Sequence, residues 1–368
     1  MNNEMMQLTV KEFGEAIDRI VQTGNRRSIL ALGASGIGKS EVVFDTTQKY
    51  GWGFKDLRLL LYTETDIKGI PYPSEDGTTT KWLPNDILPN EERDGKEGIL
   101  VIEELTSASK KTQAAAYQLI QDRRLGDYIV PEGWLIVALG NREADDGVFV
   151  RMPAPLTNRF SIVEVVPDLG AFKEWAFKKE VSEYVISYLN FDPIALHTFS
   201  PDDESMIFAS PRSWKAVSDI IRAKKDISDL DKIDRALITG NIGTGIANKF
   251  FSYIELSSEL PCIEDILDGK YTSAPSKPDL VYLLIGSIVS HMHKYIKDID
   301  SIEDLKPGAL KRIQNVFDYF VSMPTDFAVV GMRDLCVINK PLMGKIIRTS
   351  MNTQKFVDFI TENAYIFD

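Results

Sequence analysis

The octapeptide Gly33-Ala34-Ser35-Gly36-Ile37-Gly38-Lys39-Ser40 fills every fixed position of the pattern G-x-x-x-x-G-K-[ST], and its flanks decide how it reads. Before it, Ser28-Ile29-Leu30-Ala31-Leu32 has the continuous apolar character of a short buried strand; after it, Glu41 to Tyr50 can form a helix. Strand, glycine loop and helix in that order bring backbone N–H groups and the positive end of a helix dipole onto phosphates. Lys39 then reaches the β and γ phosphates, and the Ser40 hydroxyl becomes a ligand for Mg²⁺. Gly33, Ala34, Ser35, Gly36, Ile37, Gly38, Lys39, Ser40 and Glu41 are therefore the candidate cradle for ATP. The alternative is an ordinary glycine turn.

About sixty residues on, Gly98-Ile99-Leu100-Val101-Ile102 reads as a central parallel strand covered on both faces, and it ends in Glu103-Glu104. Two acids at the carboxyl end of a buried strand suit a divided task, Glu103 toward the Mg²⁺ shell and Glu104 toward an attacking water. The competing reading is a solvated strand end, with Thr106 or Ser107 capping the next helix. A third apolar run, Trp134 to Leu139, ends in Gly140-Asn141 and sets a neutral amide at the sheet edge where open α/β folds bind ligands. Asn141 there orients a water or contacts the γ-phosphate; alone, it reads equally well as a turn residue. Ala154-Pro155-Leu156-Thr157-Asn158-Arg159-Phe160 then leads into the strand-like Ser161 to Val166. A guanidinium such as that of Arg159, placed near a neighbouring subunit's nucleotide, would stabilise charge on a transferring phosphoryl group.

Together with Ala209-Ser210-Pro211-Arg212-Ser213-Trp214, these segments resemble the AAA+ ATPases over roughly residues 20 to 225. That resemblance implies Walker A at Lys39 and Ser40, Walker B at Glu103 and Glu104, sensor 1 at Asn141, an arginine finger at Arg159 and sensor 2 at Arg212. It also implies an α/β P-loop NTPase core followed by an all-helical lid and a helical extension, and a ring, hexameric in form, because Arg159 acts only if a second subunit receives it. Two extended arms, Thr65 to Pro73 and Thr78 to Pro84, around a turn at Ser74-Glu75-Asp76-Gly77 are similar to the helix-2 insert hairpin of the MoxR-like branch. Members of that branch act on protein clients, often beside a partner with a von Willebrand factor A domain. The pattern is not followed throughout: Glu103 stands where Asp is commoner, and the loop Asn141-Arg142-Glu143-Ala144-Asp145-Asp146 is unusual.

Composition fits an ATP-driven machine of the cytoplasm. The 368 residues exceed one average domain, with 44% hydrophobic and 26% charged residues. Cys262 and Cys336 are too far apart, and too few, for a disulfide framework or zinc site. The first twenty residues lack the features of a signal peptide, and no apolar run approaches the length that spans a bilayer. A formal net charge of −12 disfavours a phosphate backbone as partner, which argues against a nucleic-acid motor. Strands and helices alternate up to Pro167, and the pattern is helical afterwards. The division expected is 1–166 for the nucleotide-binding core, 167–300 for a helical lid carrying Arg212, and 301–368 for a helical extension. His291 and His293 point to different faces of a helix with no third ligand, so no metal site is expected there.

Overall fold

The computed structural model describes residues 5–24, 27–143, 145, 149–152, 154–200, 205–270, 273–350 and 354–364, without the side chains of 155 and 156. Ala144 and Asp146 of the loop singled out above lie outside the described residues. Two compact units divide the chain, one over 1–168 with 200–204, the other over 169–199 with 205–368.

The first unit runs β1 (Gln7–Thr9), α1 (Val10–Gln22), β2 (Ile29–Leu32), α2 (Lys39–Tyr50), β3 (Gly53–Arg58), α3 (Glu64–Lys68), β4 (Ile70–Pro73), β5 (Thr80–Leu83), α4 (Glu91–Asp94), β6 (Glu97–Glu103), α5 (Lys110–Asp122), β7 (Arg124–Leu125), β8 (Tyr128–Ile129), β9 (Gly133–Gly140), α6 (Ala154–Thr157) and β10 (Ser161–Val166). Among the described residues six of these strands make one parallel sheet, ordered β1-β10-β2-β9-β6-β3. Its apolar runs are continuous because both faces are covered. Alternate residues Ile29, Ala31, Ile99, Val101, Leu135 and Val137 pack on Phe13, Ile17 and Val43 from α1 and α2. Their neighbours Leu30, Leu32, Leu100, Ile102, Ile136 and Ala138 pack on Ala116, Leu119 and Ile120 of α5.

β4 and β5 form the expected antiparallel pair, from Ile70 opposite Leu83 to Pro73 opposite Thr80. The first arm is shorter than the sequence suggests, because Thr65–Lys68 is helical within α3. A reciprocal cap starts that helix: the Thr63 hydroxyl accepts from the Asp66 N–H, and the Asp66 carboxylate accepts the Thr63 N–H at 2.8 Å. Thr63-x-x-Asp66 outcompetes extension. Ile70, Tyr72 and Leu83 remain exposed on the hairpin.

The regular elements described in the second unit are all helical, opening with α7 (Leu169–Lys178), α8 (Glu183–Phe191) and α9 (Pro211–Arg222) and running to the helix Gln354–Glu362. One apolar core extends from Phe172 to Phe359. Tyr188, Trp214 and Phe250 meet there with centroids 5.3–5.5 Å apart, and Trp214 Nε1 donates to the Ala195 carbonyl at 2.7 Å. Within the same unit a polar triad is buried: Lys173 Nζ pairs with Asp334 and donates to Asn190 Oδ1 at 3.0 Å, while Asn190 Nδ2 donates to Asp334 Oδ2 at 2.9 Å. Removing one charge strands the other. Asp334→Ala is expected to cost about 3–5 kcal/mol in denaturant unfolding, and the apolar pair Lys173→Met with Asp334→Leu to recover most of it. Equal losses in the single and double variants would contradict this account.

Candidate nucleotide site

The glycine loop leaves β2 at Leu32, which lies beside Gly140 of β9 and Glu164 of β10. Gly33 is wedged between those two strands: its N–H donates to the Gly140 carbonyl at 3.1 Å, and a Cβ on it would stand 2.3 Å from the Val165 carbonyl oxygen. Gly38, at φ 101°, caps α2 without any side-chain hydrogen bond. The first turn of a helix has N–H groups with no acceptor inside the helix, and here no side chain of the cap takes one. Lys39 is buried, its Nζ donating to the Gly33 and Ala34 carbonyls at 2.7 Å each. Ser40 and Glu41 follow, half-buried in the same first turn. An ammonium, a helix N-terminus and a loop of N–H groups together suit a polyphosphate. The Ser40 hydroxyl and a carboxylate such as Glu103 are hard oxygen donors of the kind Mg²⁺ takes.

Glu103 is the last residue of β6, and Glu104 follows at φ 58°, an uncommon left-handed backbone for a residue with a side chain. Such geometry costs on the order of 1–3 kcal/mol and persists only where the surroundings impose it. They do so here. Leu105 N–H donates to the Leu139 carbonyl at 3.0 Å, Ser107 and Ala108 N–H groups donate to the Glu104 carbonyl, and the buried Gln113 Nε2 donates to the Leu105 and Val150 carbonyls at 3.0 Å. Successive side chains at a strand end point to opposite faces, so the two acids do not share one role. Across β3, Arg58 lies opposite Glu103; its guanidinium is held above its usual range first by Asp56, with smaller contributions from Glu103 and Glu104.

Thr106 does not cap the next helix. Ser109 does, accepting the Thr112 N–H at 3.2 Å, while the fully buried Thr106 grips Asn141 instead. Its Oγ1 accepts the Asn141 N–H at 3.0 Å and donates to the Asn141 carbonyl at 3.1 Å. Gly140 makes room for this, since a Cβ there would sit 2.7 Å from Thr106 Oγ1. Beside Asn141, the Arg142 guanidinium binds Asp145 with both Nε (2.7 Å) and Nη2 (2.6 Å), and Glu164 through Nη1 at 2.7 Å. Asp145 first, then Glu164, hold Arg142 well above the usual arginine range.

The parallel order β2-β9-β6 thus sets Lys39 and Ser40, Asn141, and Glu103 with Glu104 along one edge of the sheet. Arg159 is not among them. It precedes β10, whose Ser161 lies beside Ile29 at the start of β2, so it stands at the opposite end of the sheet from its own glycine loop. The four residues of β2 span about 13 Å at about 3.3 Å each. Arg27 Nη2 fixes the approach to Arg159 by donating to the Asn158 and Phe160 carbonyls at 3.0 and 3.1 Å. Arg212 is in the second unit, exposed in the first turn of α9, which Ser210 caps and Pro211 opens.

Sequence reasoning missed the roles of Thr106, Arg142 and Arg27. Arg142 and Asp145 carry a local signal, an arginine three residues before an acid. Their bonds to Asn141, Glu164 and Phe160 come from strand order, which no local pattern encodes.

The fold and the loop define an α/β P-loop NTPase core with an all-helical continuation, the fold class expected from the sequence. No protein-family profile matches the chain, and neither does any curated protein. Among solved structures it is similar to the Thermotoga maritima RuvB Holliday junction branch migration motor, with 17% identity over 76% of this chain and 80% of that one and a TM-score of 0.39. It is also similar to NtrX from Brucella abortus, with 16% identity over 69% and 62% of the two chains and a TM-score of 0.37. With both scores this low, the fold assignment rests on the chain's own strand order and glycine loop. Among the described residues no helix is long and apolar enough to cross a membrane.

Proposed function

We propose that this protein is a Mg²⁺-dependent AAA+ ATPase of the MoxR-like branch, which assembles into a ring, hexameric in form, and remodels or matures a protein partner. The observation that carries the reading is the single sheet edge on which the Lys39 loop, Asn141 and the Glu103-Glu104 pair stand side by side. In this reading Lys39 and the loop N–H groups hold the β and γ phosphates of ATP. Ser40 and Glu103 would hold Mg²⁺, which neutralises phosphate charge when bound. Glu104 takes a proton from the attacking water, and Asn141 orients that water against the γ-phosphorus. Arg212 is assigned to the second sensor by the resemblance of Ser210-Pro211-Arg212. What supports the ring is that Arg159 lies at the sheet end remote from its own loop, as a residue acting on a neighbour's nucleotide would. The branch is supported by the β4–β5 hairpin, and a client with a von Willebrand factor A domain partner by that resemblance alone.

Glu103 in place of the commoner Asp favours a second reading, a nucleotide-gated assembly switch that binds ATP and turns it over slowly. A nucleic-acid motor is disfavoured by the net charge of −12. Steady-state ATP turnover with and without DNA separates the three, and capture of partners on a Glu104→Gln trap identifies the client.

Lys39→Ala tests the cradle itself. It removes charge-assisted contacts of about 1.5–3 kcal/mol each, so ATP affinity measured by calorimetry should fall about 10- to 100-fold or more. Unchanged affinity would remove the loop from nucleotide binding.

A further inference from the structure

We propose that Arg142 is a positioning residue: its guanidinium straps the Asn141 loop across the root of the glycine loop to β10, and so fixes where the Asn141 amide stands. The proposal rests on the hydrolysis reading above.

The register carries the argument. Gly140, Leu32 and Glu164 lie abreast on β9, β2 and β10. Arg142 departs from β9 two residues beyond Gly140, yet its Nη1 reaches Glu164 of β10 at 2.7 Å. Its side chain therefore passes the carboxyl end of β2, where Gly33 begins. Asp145 holds the other side of the guanidinium in a two-point grip, and Asp145 Oδ2 also accepts the Arg142 backbone N–H at 3.2 Å. Both carboxylates are shielded, with side-chain exposures of 5% for Asp145 and 13% for Glu164, so solvent competes weakly for the strap. Glu164 is braced in turn by Gln7 of β1, whose Nε2 donates to Oε2 at 3.2 Å.

Thr106 holds the Asn141 main chain from the β6 side, and Arg142 ties the next residue to the β10 side. What is left to move is the Asn141 side chain. For a residue that orients a water this matters, since a displacement of about 1 Å at a reacting centre costs about 10²-fold in rate. A lysine cannot replace the strap, because a single ammonium lacks the planar fork that grips one carboxylate at two points while reaching a second. The commitment of all three contacts within one chain also removes Arg142 from the groups that could serve a neighbouring subunit.

The test uses the full chain and four variants: Arg142→Lys, Glu164→Gln, Asn141→Ala, and Arg142→Lys combined with Asn141→Ala. Turnover, KM for ATP, affinity for a fluorescent ATP analogue and thermal midpoint are measured on each. Arg142→Lys is expected to lower kcat about 10- to 100-fold while analogue affinity changes less than about threefold, and to add less than about twofold once Asn141 is alanine. Should Arg142→Lys fail to fold, Glu164→Gln carries the same expectation, because it cuts only the cross-strand half of the strap. Losses that multiply in the double variant, or an affinity loss as large as the kcat loss, overturn the proposal and leave the hydrolysis reading standing. No ATP turnover in the unsubstituted protein overturns both.

Discussion

Glu104→Gln is expected to bind ATP within about twofold of the unsubstituted protein and to turn it over about 10²- to 10⁴-fold more slowly, the range a positioned general base contributes. The substitution keeps the size and hydrogen-bonding capacity of the side chain and removes its basicity, so it separates binding from chemistry. The backbone adds an independent argument. Glu104 sits at φ 58° at the end of β6, held there by the turn that Leu139, Gln113 and Ser107 close, a conformation with a standing cost of about 1–3 kcal/mol for a residue that carries a side chain. Glu104→Gly should therefore raise the thermal midpoint while abolishing turnover, the signature of a strained residue retained for its side chain. Glu103→Gln is expected to behave differently and weaken the Mg²⁺-dependent part of ATP binding, because successive side chains at a strand end diverge and cannot share one role. Calorimetry at two Mg²⁺ concentrations beside steady-state turnover decides the matter. Intact binding with blocked turnover in Glu103→Gln alone would reverse the two assignments.

The elements that carry these acids were legible because their signals are local. Residues 98–102 and 134–139 are apolar without a break, since parallel strands covered on both faces have no exposed side, and Ser161–Val166 is strand-like over its full extent. β1 and β3 carry no such signal, for the converse reason. Gln7–Thr9 is three residues long, and Gly53-Phe54-Lys55-Asp56-Leu57-Arg58 carries charges because it is the edge of the sheet, where one side meets solvent. The reciprocal cap at Thr63 and Asp66 is a local signal that favours helix over the extended arm at this point. What no local pattern could supply is the order of the strands. Only once β9 lies between β2 and β6, and β10 on the far side of β2, do Thr106 and Asn141 meet and Arg142 face Glu164. The same order puts Lys39 and Arg159 at opposite ends of the sheet, which the sequence leaves open.

That separation makes Arg159 the residue whose substitution has the largest expected effect. Arg159→Ala should leave ATP binding in its own pocket intact and lose most turnover, because fingers in related phosphoryl-transfer systems contribute roughly 10³- to 10⁵-fold. An exposed ion pair contributes at most about 1 kcal/mol, so the two explanations differ by orders of magnitude. The structure sharpens the contrast: Arg159 is exposed, and no ion pair joins it to another described residue, whereas Arg27 holds the backbone on either side of it. Its removal should therefore shift unfolding free energy by no more than about 0.5 kcal/mol. Mixing subunits then tests action in trans. On the proposed reading, rings of Arg159→Ala subunits would lack fingers and rings of Glu104→Gln subunits would lack bases, so each parent should be nearly inactive. In mixed rings some interfaces bring an intact Glu104 site against an intact Arg159, and activity should return in part. If Arg159 only pinned the start of β10 within its own chain, the alanine variant would melt earlier and mixing would rescue nothing. Absence of rescue in rings shown to exchange subunits would take the trans role from Arg159; with Arg142 committed to Asp145 and Glu164, the exposed Arg151 would be the next to substitute.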